Sequence, residues 1–125
     1  MNKIEKNNKL IVRFMGWADI GANTAAMTRA YLNCYHVELP CFEGMMSLHK
    51  MEFNKSWDWL MPVFDKIEQM HYETEITRHS VAFGSYMAVG EIDWHYEVDR
   101  YEEISLIDSV YKGVLGFIKW YNENK

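Results

Sequence analysis

Three stretches of the chain carry apolar residues at helical spacing. In residues 4–15 apolar side chains recur every three or four positions, and Gly16 follows as a residue suited to a left-handed C-terminal cap. Residues 56–68 repeat the pattern after Ser56, a favourable N-cap. The third stretch begins at Ser105 and Asp108, which resemble a capping box, and its apolar stripe continues to Tyr121. The pattern therefore predicts three helices, the last of which closes the chain.

The segments between these helices favour β-structure. Residues 31–39 and 45–53 are rich in aromatic, branched and Met residues, and the intervening residues 40–44 predict the loop of a hairpin. Residues 72–98 mix branched and aromatic residues with Thr and Ser, which predicts two or three further strands. Residues 17–29 show no firm period and are predicted as a loop, with room for one turn of helix.

The order of these elements predicts an α+β fold. We expect a mainly antiparallel sheet of about four to five strands packed by about three helices, with an α-β-α sandwich as one arrangement. The 125 residues, 49% of them hydrophobic, suit one domain over residues 1–125.

Charge and hydropathy limit the classes of partner. The formal net charge of −5 argues against nucleic acid or an anionic membrane as the main partner. No apolar run reaches the length of about 18 residues that a membrane span needs, and the first eight residues lack the apolar region of a signal peptide. Cys34 and Cys41 are expected to be thiols of a reducing compartment. These features predict a cytoplasmic protein.

Established catalytic motifs are missing from the sequence. It contains no phosphate-binding loop, dinucleotide fingerprint, Gly-x-Ser-x-Gly, Cys-x-x-Cys or His-Glu-x-x-His, and no cofactor is predicted. Residues 92–98 alternate almost strictly, which predicts that Asp93, His95 and Glu97 share one face of a strand. Carboxylates with an imidazole suit a divalent metal or general acid–base chemistry. The solvated face of an antiparallel strand explains the same spacing without chemistry.

The predicted hairpin offers further metal-binding side chains. Four residues could in principle supply zinc ligands: Cys34, His36, Cys41 and His49. Their spacing matches none of the common structural zinc patterns, which use tight Cys pairs, so ordinary hairpin residues are the favoured interpretation. His36, His49 and His95 are the remaining candidates for a metal ligand.

The helices carry the candidate binding residues. Trp57 and Trp59 are two positions apart and cannot both face the same core, so the outward one is a candidate partner contact. Gly113 and Gly116 each weaken the last helix by about 1 kcal/mol relative to Ala, which predicts close packing by the sheet, another helix or a second copy of the chain. Trp120 lies partly off the apolar stripe and completes this set.

Three separated blocks of the sequence carry a resemblance. They are residues 8–17, which include Phe14-Met15-Gly16-Trp17, residues 56–63 and residues 110–122. These blocks resemble a family of small uncharacterised proteins encoded by phages and mobile elements of Bacteroidetes-type bacteria, and more loosely the phage α-β-α sandwich domain proteins. The resemblance implies a shared fold and the cytoplasm of a bacterial host. It carries over no catalytic residue.

Three hypotheses follow for the function. The first is a non-enzymatic phage or mobile-element accessory protein that binds a host or defence protein, or a small ligand. The alternative is a small metal-dependent hydrolase or nuclease that uses Asp93, His95 and Glu97. The third is a structural subunit that self-assembles through a helix approaching Gly113 and Gly116.

Overall fold

The computed structural model describes residues 1–21, 31–77, 80–86, 91–99 and 105–125. Three α-helices and five strands lie within these ranges: α1 (Lys3–Met15), β1 (Cys34–Leu39), β2 (Phe42–Ser47), α2 (Trp57–Gln69), β3 (Glu73–Ile76), β4 (Ser80–Tyr86), β5 (Ile92–Asp99) and α3 (Leu106–Asn124). The predicted α+β class is therefore confirmed. Most of the segment that was predicted as a loop, residues 22–29, lies outside the described residues.

Helix ends follow the local signals in the sequence. Gly16 has the left-handed φ of 76° that was predicted for a C-terminal cap, and its N–H donates to the Arg13 carbonyl. At the start of α3, the Ser105 hydroxyl accepts a hydrogen bond of 3.3 Å from the Asp108 N–H. These two predicted caps are confirmed, because capping depends only on residues within one turn. Ser56 occupies the predicted N-cap position of the second helix, but its side chain makes no capping hydrogen bond.

Helix α2 runs continuously through an internal proline. Pro62 has no N–H to donate to the carbonyl of Asp58, one turn earlier. The thiol of Cys41, in the turn between β1 and β2, donates to this carbonyl at 3.8 Å. This contact connects the hairpin to the first turns of α2.

The five strands form two antiparallel sheets, a hairpin of β1 and β2 and a three-stranded sheet in the order β3-β4-β5. In the hairpin, Leu39 pairs with Phe42, so the turn is shorter than the predicted loop. Gly44 remains inside β2 with a φ of 145°, a conformation that favours glycine. The second strand therefore begins earlier than predicted, and Leu48–Lys50 forms a short 3₁₀-helix instead of its continuation.

A β-bulge interrupts the pairing of β4 with β5. Phe83 pairs with Tyr96 and the next residue, Gly84, pairs with Trp94, so His95 is the extra residue of β5. Gly84 is required at this point, because a Cβ there would lie 2.9 Å from Cε3 of Trp94. The strict alternation predicted for residues 92–98 therefore breaks at His95.

One cluster of buried apolar side chains joins all three helices to β1 and β4. Helix α3 contributes Val110, Val114, Phe117 and Ile118 to it, as its stripe predicts for all but Phe117. Asn8 of α1 is fully buried beside this cluster, and its side-chain amide donates to the Leu48 carbonyl at 2.9 Å. That bond ties α1 to the 3₁₀-helix and fixes one side of α1 relative to the hairpin.

Candidate functional site

The two tryptophans of α2 have opposite environments. Trp59 is 5% exposed and contacts the ring of Phe53 edge-to-face, with 5.2 Å between the ring centroids. Trp57 is 38% exposed and borders a shallow depression with Pro40 and Met61. The prediction that one member of the pair faces outward is confirmed, and the outward one is Trp57.

The two glycines of α3 also separate. Gly113 is buried against the three-stranded sheet, and a Cβ there would lie 2.9 Å from Cγ1 of Val81 and 3.2 Å from Cε2 of Phe83. Its close neighbour is thus β4 of the same chain, which leaves no room for a second copy at this residue. Gly116 is only partly buried and lines a groove between α1 and α3.

This α1–α3 groove has a volume of about 820 Å³. Its walls combine apolar side chains with a rim of charges, and its twelve lining residues are Lys3, Ile4, Asn7, Asn54, Asp108, Tyr111, Lys112, Leu115, Gly116, Lys119, Trp120 and Glu123. Two predicted binding residues, Gly116 and Trp120, are among them. Grooves of this size that are mostly apolar with a few polar groups are the usual form of a binding site.

The hydroxyl of Tyr111 is the polar group with the most unusual environment in the groove. It is buried, and no hydrogen-bond partner for it lies within bonding geometry among the residues described. Burial raises the pKa of Tyr111, and the neighbouring Asn7 side chain only partly offsets this shift. An unpaired buried hydroxyl costs about 1–3 kcal/mol, so this group is expected to weaken the fold.

The charges of the groove differ in sign from those of the whole chain. Three lysines (Lys3, Lys112 and Lys119) and two carboxylates (Asp108 and Glu123) line it, which leaves one positive charge in excess. The whole chain has a formal charge of −5. The groove is therefore a locally basic surface on an acidic protein.

A second cluster of polar side chains surrounds His95, on the face of the sheet that packs against α3. The imidazole stacks on the indole of Trp120, with 4.5 Å between the ring centroids and an angle of 8° between the planes. Nε2 of His95 lies 2.7 Å from Oγ of Ser85, and Nδ1 lies 3.8 Å from Oδ2 of Asp93. The edge of the Tyr72 ring faces His95 from a centroid distance of 6.3 Å.

The bulge divides the strand face that the sequence predicts. Asp93 pairs with Ser85 of β4, whereas Glu97 pairs with Ala82. Residues 82 and 85 are an odd number of positions apart and lie on opposite faces of β4, so Glu97 is separated from Asp93 and His95. The prediction that the three residues share one face is wrong, because the extra residue inverts the alternation at His95.

The other predicted metal ligands lie apart from this cluster. His36 is within 4.0 Å of carboxylate oxygens of Glu38 and Glu43 on the hairpin, and His49 contacts the hydroxyl of Ser47 at 3.1 Å. Within the ranges that the structure describes, no three His, Cys, Asp or Glu side chains converge as a group that could hold a metal ion.

Sequence reasoning did not single out Tyr111, Lys112 or Ser85 as site residues. Tyr111 belongs to the apolar stripe of α3 and was expected in the core. The adjoining Lys112 and the glycine four residues later are the signals that mark the edge of that stripe. Ser85 could be connected with His95 only through the register of β4 and β5, which no local pattern reveals.

No helix among the described residues is long and apolar enough to cross a membrane. Comparison of the chain with models of protein families, with curated proteins and with solved structures finds no match. The resemblance of its three sequence blocks to phage and mobile-element proteins stays a prediction, and a functional proposal has to rest on the geometry of the groove and of the His95 cluster.

Proposed function

We propose that this chain is a binding protein whose α1–α3 groove takes an amphipathic helix of a partner protein that carries acidic residues. The groove itself is the observation that carries the proposal. It joins an apolar wall formed by Ile4, Leu115 and Trp120 to a basic rim.

The length of the groove suits a helix. Its lining runs along α3 from Asp108 to Glu123. These residues are about 22 Å apart at the rise of 1.5 Å per residue, which corresponds to about four helical turns. Gly116 lies near the middle, where the missing side chain lets a neighbouring backbone approach α3 closely. Helix-in-groove recognition uses an apolar face of this length.

The charge of the rim favours an acidic partner. Lys3, Lys112 and Lys119 would face carboxylates flanking the apolar face of the bound helix. Ion pairs at such a rim contribute more to partner choice and association rate than to affinity. The affinity would come from burial of Ile4 and Trp120, since tryptophan is enriched among interface residues that dominate binding energy.

The resemblance to phage and mobile-element proteins supports a biological setting for this proposal. In that setting the partner is a host or defence protein in the cytoplasm of a bacterium. The protein then acts in the groove by binding and carries out no reaction there. A metal-dependent hydrolase is less well supported, because the bulge at His95 separates Glu97 from Asp93.

A display library of helical peptides with graded net charge tests the proposal. We expect the selected peptides to be acidic and amphipathic. Gly116→Trp should weaken their binding at least tenfold, or by about 1.4 kcal/mol, because the indole fills the groove. Lys112→Glu should weaken it severalfold, with the difference from wild type shrinking at high salt. Titration calorimetry measures both effects.

Lys50→Glu is the matched control, since it makes the same change of charge at an exposed residue that does not line the groove. A library from which no peptide depends on Gly116 or Lys112 would contradict the proposal. Binding of a small molecule by the wild type but not by Gly116→Trp, with no helical peptide selected, would instead assign the groove to a small ligand.

A further inference from the structure

We propose that Ser85 is a nucleophilic serine, with His95 as its general base and Asp93 as the group that orients the base, and that it reacts with carboxylic esters of small apolar acids. This activity would be additional to binding in the α1–α3 groove and does not depend on it. The observation behind it is the chain of contacts from Ser85 Oγ through the imidazole to Asp93, with distances of 2.7 Å and 3.8 Å.

The first contact fits proton transfer. An Oγ–Nε2 distance of 2.7 Å is a short hydrogen bond, within the range in which a base removes the proton of an attacking hydroxyl. Ser85 and His95 come from different strands, and their contact exists because the bulge brings His95 to the same face as Ser85. An inert serine at the end of a strand would not need this placement.

The second contact selects the tautomer of the base. The carboxylate of Asp93, 3.8 Å from Nδ1, favours the proton on that nitrogen and leaves Nε2 to accept from Ser85. At 3.8 Å the interaction between Asp93 and the imidazole is electrostatic and is too long for a hydrogen bond. Asp93 is 61% exposed and His95 only 21%, so solvent reaches the carboxylate more than the imidazole.

Aromatic rings hold the imidazole in place. Trp120 stacks on one face of it and Tyr72 presents its edge, so the ring plane of His95 is fixed relative to Ser85. Within the described part of the chain, the titratable or hydroxyl-bearing side chains that contact it are Tyr72, Asp93 and Ser85. The apolar rings beside the serine favour esters of small apolar acids over charged ones.

The hairpin provides an internal comparison. Ser47 Oγ also contacts a histidine, at 3.1 Å from Nδ1 of His49, but both residues belong to one local turn. Among the residues described, no carboxylate lies within ion-pair distance of His49. Ser47 therefore has a neighbouring imidazole without an orienting carboxylate.

The reaction balances without an oxidant or a metal. Oγ of Ser85 forms a bond to the ester carbonyl carbon while its proton passes to Nε2 of His95. The bond from that carbon to the alcohol oxygen then breaks, and the alcohol leaves with the proton from His95. Water attacks the acyl-Ser85 ester in the same way, its proton passes through His95 to Oγ, and the carboxylic acid is released.

p-Nitrophenyl acetate added to the full chain tests the proposal. We expect a burst of p-nitrophenol and a single acetyl group on Ser85, located by mass spectrometry of peptides. His95→Gln should lower the acylation rate at least about a hundredfold and Asp93→Asn about tenfold. Ser47→Ala should leave it unchanged.

A second variant keeps the test independent of serine reactivity. In Ser85→Cys, the imidazole should lower the pKa of the new thiol, so that it reacts with iodoacetamide at pH 6 at least tenfold faster than the exposed Cys41 of the same molecule. Circular dichroism checks that each variant is folded. Acetylation of Ser85 no faster than that of Ser47, or a rate that His95→Gln does not change, would overturn the proposal.

Discussion

The two glycines of α3 lower its helix propensity in the same way, but they have different neighbours in the structure. Gly113 packs against Val81 and Phe83 of the sheet, so tightly that a methyl group would collide with the Val81 side chain. Gly116 lies one turn further along and opens onto the α1–α3 groove. A glycine in a helix thus marks close approach, but which neighbour approaches is decided by tertiary packing.

The two tryptophans of α2 repeat this contrast. Trp57 and Trp59 are about 200° apart around the helix, so packing has to bury one and leave the other outside. The sequence left open which of the two is buried, and in the structure it is Trp59. The ring of Phe53, which reaches α2 from the preceding loop, explains this choice. Within each of these pairs, substitution of the two residues should change the stability of the fold by different amounts.

Truncation of the tryptophans should give the largest effect. Trp59→Ala removes a ring that is 5% exposed and should lower the free energy of unfolding by about 3–5 kcal/mol, because a cavity remains beside Phe53. Trp57→Ala should lower it by less than about 1 kcal/mol. Chemical denaturation monitored by circular dichroism measures both. Equal losses in the two variants would show that Trp57 is also a core residue.

Substitution of the two glycines by alanine should change the free energy of unfolding in opposite directions. Gly113→Ala should destabilise the fold by about 1–2 kcal/mol, because crowding of the β-branched Val81 outweighs the gain in helix propensity. Gly116→Ala should stabilise it by up to about 1 kcal/mol, since Gly116 lines the groove and alanine has the higher helix propensity. The same denaturation experiment applies. Stabilisation by Gly113→Ala would mean that β4 can move away from α3.

The sequence predicts the parts of the fold that depend on neighbours along the chain. Helix starts and the caps at Gly16 and Ser105 agree with the structure, because each needs only one turn of local sequence. The bulge at His95 could not be predicted, since it exists only in the pairing of β5 with Gly84. Because of the bulge, the side chain beside the imidazole of His95 is Ser85 and not the expected Glu97.

The α1–α3 groove could also be predicted only in part from the sequence. Trp120 and Gly116 could be selected from the sequence because they deviate from the stripe of α3. The other wall belongs to α1, and Ile4 was expected to face the core with the rest of its helix. It is 45% exposed, because α1 extends past the edge of the core at its first turn. A site formed between two distant segments is not visible in the pattern of either.

The smallest expected effect concerns Tyr111, a side chain of α3 that borders both the core and the groove. Burial raises the pKa of Tyr111 above its usual value of 10, so the folded state holds the phenolic proton more tightly than the unfolded chain does. The stability linked to this proton is complete below pH 10 and is lost as the pH rises from there through the folded pKa. Burial also raises the pKa of Tyr35, and the carboxylate of Asp19 raises it further, so Tyr35 adds a loss in the same direction.

Tyr111→Phe should separate the contribution of Tyr111 to the pH dependence of stability from that of Tyr35. At pH 7 it should raise the free energy of unfolding by up to about 1 kcal/mol, because it removes a buried hydroxyl without a partner. Above pH 10 the variant should lose less stability than the wild type. Tyr35→Phe is the control: it should also lose less stability above pH 10 but gain none at pH 7, since the Tyr35 hydroxyl interacts with Asp19. Urea denaturation at pH 7 and above pH 10 measures the difference. If Tyr111→Phe destabilised the protein at pH 7, the hydroxyl would already have a hydrogen-bond partner in solution.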